Sequence, residues 1–580
     1  MNWSKPVLKW LGIVLCIIGC EPLFFGSLYW PYGPKDFFRT KLLSFPYVCF
    51  VSLCLVLAVV CFVLYRFDFH QRWLKPVFKW VGISGGVLAA VLILFLLEEN
   101  IRGRIELRSY LRELRARGEK LTLAEISIPK PAKGDNGAVA LTALTNQFES
   151  LRTNSTFGSG SLSLSRIRLV GQGRGVVRTA QPDLGVNRQQ LIAVEVHPGS
   201  SRREWPAPVK ADWTDLDAEV SKASNVLEQV RQALRQPIAS LPVDYSQGYQ
   251  TRHTDAYAAA HWLGLAALSR LRHRDMESAT QCILDIAILT HFGEDERLFV
   301  SQVNRRNRGL IGLSLTWEAL QIPGFTDEQL LALENAWQDG SLIHNTASIL
   351  EVNRLFDLSQ WSEHRTNIFC YWRWEGWPTD FGELVSDLGD SLHATAWQIA
   401  WVDQDEACFL NRYQAVLERT RSAITTRNWS ILHHREQNIP YTESVYDRMR
   451  FVYAPHFIGS LDYALDLAFE YETQREMTVA AIAINRYHLR YRKLPPDLSA
   501  LVPEYVPQLP HDWMDGQPLR YRVNADGTFT LYSVGLNGRD DGGDPSSLER
   551  WRASSIWQER DAVWPMPASM EEVALAERRR

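Results

Sequence analysis

The sequence predicts a mainly α protein: N-terminal transmembrane helices, a large helical-repeat-like or irregular helical body with a small strand-bearing insertion, and a C-terminal α+β module. Three patterns carry this reading. Long apolar runs dominate the first hundred residues; apolar side chains recur every three or four positions between residues 213 and 469; short alternating runs such as RIRLVGQGRGVVRT and QQLIAVEVHP mark the insertion, and alternating strands return after residue 518. The expected divisions are a membrane anchor at 1–97, a charged helix and Pro-rich linker at 98–135, a helical body at 136–472 with an insertion near 154–208, the α+β module at 473–547 and a polar tail at 548–580.

Residues 42–65 contain an uncharged run, SFPYVCFVSLCLVLAVVCFVLY, which exceeds the roughly 20 residues that cross the hydrocarbon core. Residues 80–97 form a second run between Lys79 and Glu98. Residues 7–30 form another, interrupted by Glu21 and Pro22. That segment reads either as a tilted span or as a signal-like segment, because IIGC at 17–20 resembles a lipobox with Cys20 as the acylated residue. A repeat joins the ends of this region: KPVLKWLGI at 5–13 returns as KPVFKWVGI at 75–83. Arg66, Arg72, Lys75 and Lys79 crowd the loop between two runs, and the positive-inside rule keeps such a loop in the cytoplasm. The expected location is therefore a bacterial inner membrane, multi-pass, with the lipid bilayer as a partner and the body outside the cytoplasm.

With 580 residues the chain is long enough for several cores. Its net charge of −4 gives no basic footprint, which excludes nucleic acid as the expected partner. Of the eight cysteines, Cys282, Cys370 and Cys408 follow the apolar region, at spacings that make neither a disulfide framework nor a zinc site.

Residues 98–119 alternate Arg and Glu around Leu107, Leu111 and Leu114, the pattern of a helix with a solvated charged face. Trp262, Leu263, Leu265, Leu268 and Leu271 form one stripe, residues 273–275 a polar turn, and Cys282, Ile283, Ile286, Ala287 and Leu289 the next. This predicts an antiparallel helix pair. Thr326 and Gln329 form a capping box, and Gly340 ends the helix it opens.

No motif singles out a catalytic residue. HExxH, CxxC and a phosphate loop are all absent, and GQGRG at 171–175 has a turn's spacing. His253, Asp255 and His261 span more than two helical turns, too far for a simple metal pair. Trp361, Trp372, Trp374, Trp377, Trp397 and Trp401 read as inter-helix packing, with a sugar- or peptide-binding groove as the alternative.

The tail is more specific. A helix TQREMTVAAIAINRYHLRYR stops at Pro495 and Pro496, and strands at 519–523 and 528–534 are joined by a turn holding Asp526 and Gly527. The LPPDL turn at 494–498, the YVPQLPHD run at 505–512, the spacing of Gly516, Pro518 and Tyr521, and the YSVGLNGRDDGGD ending at 532–544 complete the pattern. Over about 75 residues this stretch resembles the globular head of type II secretion major pseudopilins. The resemblance implies calcium in the final loop, with ligands drawn from Asn537, Asp540, Asp541 and Asp544 and an oxygen from Ser533. Its position at the far end of a long chain departs from that family, whose members begin with their apolar helix. The whole chain also resembles uncharacterised bacterial membrane-anchored proteins that join a helical body to such a tail, a likeness that implies architecture and no activity.

Two functions follow as expectations. One is a non-catalytic cell-envelope scaffold binding envelope or secretion proteins; the other is an extracytoplasmic hydrolase acting on envelope polymer or carbohydrate, with carboxylates near the tryptophans.

Overall fold

The computed structural model describes residues 71–126, 136–155, 213–238, 254–366, 393–433, 444–546 and 556–567, with short pieces at 157, 169–170, 172–173, 194–196, 209–211, 241 and 243. The described residues are mainly helical with one small three-stranded sheet. The chain divides into two compact units. Unit one takes Met1–Glu119, Asp357–Tyr413 and Asn438–Ile458; unit two takes Lys120–Phe356, Gln414–Gln437 and Gly459–Arg580.

Ten helices are used below. They are α1 (Gln71–Ala116), α2 (Trp213–Leu234), α3 (Thr254–Arg272), α4 (Met276–Leu289), α5 (Phe299–Leu320), α6 (Asp327–Asp339), α7 (Thr346–Thr366), α8 (Val402–Thr426), α9 (Val445–Arg450) and α10 (Ala454–Tyr491).

In unit two, α3 and α4 form the predicted pair. Arg274 ends the turn in the left-handed region (φ 56°), and Asp275 caps α4 by accepting the Ser278 N–H at 3.1 Å. The capping box before α6 is present in both directions: Thr326 and Gln329 exchange side-chain-to-backbone bonds of 3.0 and 3.2 Å. Gly309 and Gly312 on α5 are demanded by close approach, since a Cβ at either would overlap Tyr471 or the Trp337 indole. These helices bury Leu216, Leu263, Ile283, Leu313 and Leu333 in one core.

The α+β elements share that core. Met477, Ile482 and Ile484 of α10 belong to it, as do Leu501, Leu519, Leu531 and Trp564. Strands β1 (Arg520–Val523) and β2 (Phe529–Ser533) form an antiparallel hairpin in which Arg520 faces Tyr532 and Val523 faces Phe529. Gly527 (φ 81°) makes the turn. A third strand, β3 (Ala562–Val563), pairs antiparallel with β2, placing Tyr532 opposite Val563. Just beyond it, Met566–Pro567 pairs with Gln172–Gly173, and the Trp317 indole donates to the Pro565 carbonyl at 3.0 Å. In the insertion, Val194–Val196 pairs with Val209–Ala211.

The membrane anchor is corrected. Among the described residues no helix is long and apolar enough to cross a membrane. That finding overturns the transmembrane helices of the predicted fold class, the multi-pass inner-membrane location and the sidedness derived from it. Residues 7–30 and 42–65, together with Cys20, lie outside the described residues. Residues 80–97 form part of α1, a 46-residue helix that continues through Glu98, Glu99, Arg102 and Arg104. A run of apolar letters counts residues, not the element that contains them. Val87, Leu88, Leu94, Ile101 and Ile105 of α1 are exposed, while Glu99 is completely buried.

Candidate functional site

The tryptophan-rich region supplies the first candidate site, and it lies in unit one. Between residues 397 and 401 the backbone forms a π-helix, WQIAW, continuous with α8. Trp361, Trp397 and Tyr453 stack with ring centroids 5.0–6.1 Å apart, and Phe409 joins at 5.9 Å from Trp361. Trp361, Trp397 and Trp401 are almost completely buried, which makes them packing side chains rather than an open stacking platform. Trp372, Trp374 and Trp377 lie outside the described residues.

Two buried carboxylates sit among these rings. Asp405 accepts the backbone N–H groups of Val452, Tyr453 and Ala454 at 2.9, 2.9 and 3.1 Å and the Trp397 indole N–H at 3.0 Å. Those N–H groups belong to the opening of α10, where a helix leaves donors without internal partners and favours negative charge. Burial pushes Asp405 up to about 6, the four donors restraining a larger rise.

Glu99 of α1 accepts the Trp401 indole N–H at 2.9 Å, the Gln404 amide at 3.0 Å and the hydroxyl of Tyr446, and it pairs with Arg102. Burial alone would raise its pKa, but Tyr446, Gln404, Trp401 and Arg102 hold it below the ordinary value. Gly103, one turn on, lets α1 lie against Asp403 and Gln404. Arg365 pairs with both Asp403 and Glu406. Asp357 is different: burial pushes it up to about 8.

A general acid and base need lone pairs or a proton aimed at a substrate. Both oxygens of Asp405 are engaged by protein donors, and so are both oxygens of Glu99. These carboxylates tie helices together.

The second candidate is the acidic loop of the tail. Its residues are engaged within the protein: Asp540 accepts the Tyr532 hydroxyl at 3.0 Å, Asp541 accepts the Asn537 amide at 3.0 Å, Asp544 accepts the Ser546 hydroxyl at 2.9 Å, and Arg560 lies 3.6 and 3.7 Å from Asp541 and Asp544. Ser533 instead donates to Asp512 at 2.7 Å. Among the described residues no group of three or more His, Cys, Asp or Glu is arranged to hold a metal ion. The loop is organised by Asp561, which accepts the N–H groups of Asp541, Gly543 and Asp544 at 3.2, 2.7 and 3.1 Å. Asp512 plays the same part for the strand end, accepting from Met514, Ser533, Val534 and Arg520.

Sequence reasoning missed Glu99, Asp405, Asp512 and Asp561. Only Asp512 stood inside a quoted motif; the others carry no local signal. His261 is buried, its Nε2 2.7 Å from the Phe157 carbonyl, and burial lowers its pKa. It is a core histidine held by one bond. Compared with known protein families, curated proteins and solved structures, the chain matches none.

Proposed function

We propose that this protein is a non-catalytic interaction scaffold, its helix pairs presenting binding surfaces to other proteins and its tail acting as a small recognition element. The observation that carries this reading is the internal use of the carboxylates beside the tryptophans, the place where the hydrolase alternative needed a catalytic pair. Asp405 and Glu99 are each satisfied by three or more protein donors. Turning either toward a substrate would strand buried donors, at about 1–3 kcal/mol for each group left unpaired.

The likeness of the tail to a pseudopilin head belongs to the same proposal. A long helix, a turn and a hairpin in that order support it. Calcium in the acidic loop would require Asp540, Asp541 and Asp544 to leave their present partners and turn toward one centre.

The test is turnover. Purified full-length chain is incubated with peptidoglycan and with defined oligosaccharides, beside Asp405→Asn and Glu99→Gln. The scaffold reading expects no product from any of the three, together with a discrete protein adduct on crosslinking in cells. Product release by the unmodified chain, lost in a variant that keeps its fold, overturns it.

A further inference from the structure

Arg305 and Arg308 lie three residues apart on α5, on one helical face, and both side chains are completely buried. Their donors cover the C-terminal end of α4. Arg305 Nε donates to the Thr290 carbonyl at 2.5 Å; Arg308 Nε and Nη2 donate to the Leu289 and Phe292 carbonyls at 2.9 and 2.6 Å. This disposes of helix-end carbonyls that would otherwise lack partners.

The remaining donors are not disposed of. Arg305 Nη2 and Arg308 Nη1 are buried and make no hydrogen bond to protein. The positive charge of Arg305 has Glu294 as a counter-charge at 3.6 Å, and its Nη1 is bonded to Gln302 at 2.8 Å. Arg308 has carbonyl partners only; the nearest carboxylate in electrostatic reach is Glu296, which accepts the Ser301 hydroxyl at 2.6 Å. Burial and the neighbouring Arg305 push Arg308 down to about 9. A guanidinium buried this way costs heavily without a paired negative charge. The Tyr471 ring stands against Gly309 beside the two arginines, and its hydroxyl is turned to the Gly340 carbonyl at 3.3 Å.

We propose that Arg305 Nη2 and Arg308 Nη1 together bind a small monovalent inorganic anion, of which chloride is the common example, beneath Tyr471. An anion supplies the counter-charge that Arg308 lacks, which a water molecule does not. Complete burial of both side chains limits the ligand to a single small ion and excludes phosphate esters.

Crystals of the unmodified full-length chain, grown with bromide replacing chloride, test this directly through the anomalous signal of bromine. The expected result is a peak between the two guanidinium groups. In parallel, the melting midpoint is followed while chloride replaces gluconate at constant ionic strength: it should rise and saturate, and the saturable part should vanish in Arg308→Gln. No peak between the arginines, or the Glu296 carboxylate found there, overturns the proposal. So does a midpoint that is the same in chloride and gluconate.

Discussion

Asp405 in unit one and the carboxylates along α10 in unit two are held by different chemistry. Beside the tryptophans of unit one, Asp405 is held wholly by neutral donors, an indole and three backbone N–H groups. Along α10 in unit two, arginines do the holding. Arg475 bonds Glu472 through Nε and Nη2 at 2.9 and 2.6 Å and reaches Glu476 at 2.6 Å, while Arg486 joins Glu334 at 3.0 Å to Asp327 at 2.9 Å. Arg306 adds an ion pair to Glu470 at 3.6 Å. Burial raises both sets, Asp405 to about 6 and Glu334 and Glu470 to about 7, but the first is restrained by uncharged donors and the second by one charged partner. Substitutions should therefore fail in different ways in the two places.

The largest effect should come from Arg475→Met, which strands Glu472 and Glu476 in the core. Breaking a buried pair from one side costs about 3–5 kcal/mol, read as a lower urea midpoint for unit two. A change below 1 kcal/mol would mean that the two carboxylates take up protons without penalty, and the contrast between the units would collapse.

Next comes Asp405→Ala, which leaves the Trp397 indole and the N–H groups at the start of α10 without their acceptor. Lost acceptors of this kind cost roughly 1–3 kcal/mol, and Trp397 fluorescence should report the loosening. Wild-type stability and spectrum in this variant would show that water replaces the carboxylate freely.

Asp357→Asn sharpens the pH side of the comparison. The folded value of about 8 lies above the ordinary aspartate value, so the folded protein holds the proton more tightly than the unfolded chain does. The stabilisation is complete below about pH 4 and is lost as pH rises through about 8. Asp357→Asn should remove that fall, so that the two urea midpoints converge at acid pH and the variant leads at pH 9. Parallel profiles would contradict the assignment. The smallest effect belongs to Arg490→Ala, whose partner Glu504 is exposed like the arginine itself. The urea midpoint should not move measurably, because solvent screens an exposed pair.

Much of unit two is legible because its signals are local. The α3–α4 pair, the box at Thr326 and Gln329, the stop at Gly340 and the hairpin turn at Gly527 each rest on residues within one turn of each other. Long-range features are not legible in that way. The start of α10 at Ala454, well before residue 473, has no internal break to announce it, because apolar and polar faces continue through Phe469 and Tyr471. Strand β3 is two residues long, too short for alternation to show, and it follows a polar stretch. The π-helix at 397–401 is set by tertiary contacts, among them the Asn100 bond to the Ile399 carbonyl at 2.5 Å. Glu99 looked like one more charge on a solvated face; its burial depends on Trp401, Gln404 and Tyr446, some three hundred residues away. The apolar run at 80–97 and the helix expected over 98–119 form one continuous element as far as Ala116.

The most direct test of the account joins stability to turnover in one variant. Asp405→Asn is compared with the unmodified chain for its urea midpoint and for product release from peptidoglycan and oligosaccharides. The account predicts a lower midpoint and no product from either protein. An unchanged midpoint, with turnover present in the unmodified chain and lost in the variant, would make Asp405 a catalytic acid and contradict the scaffold.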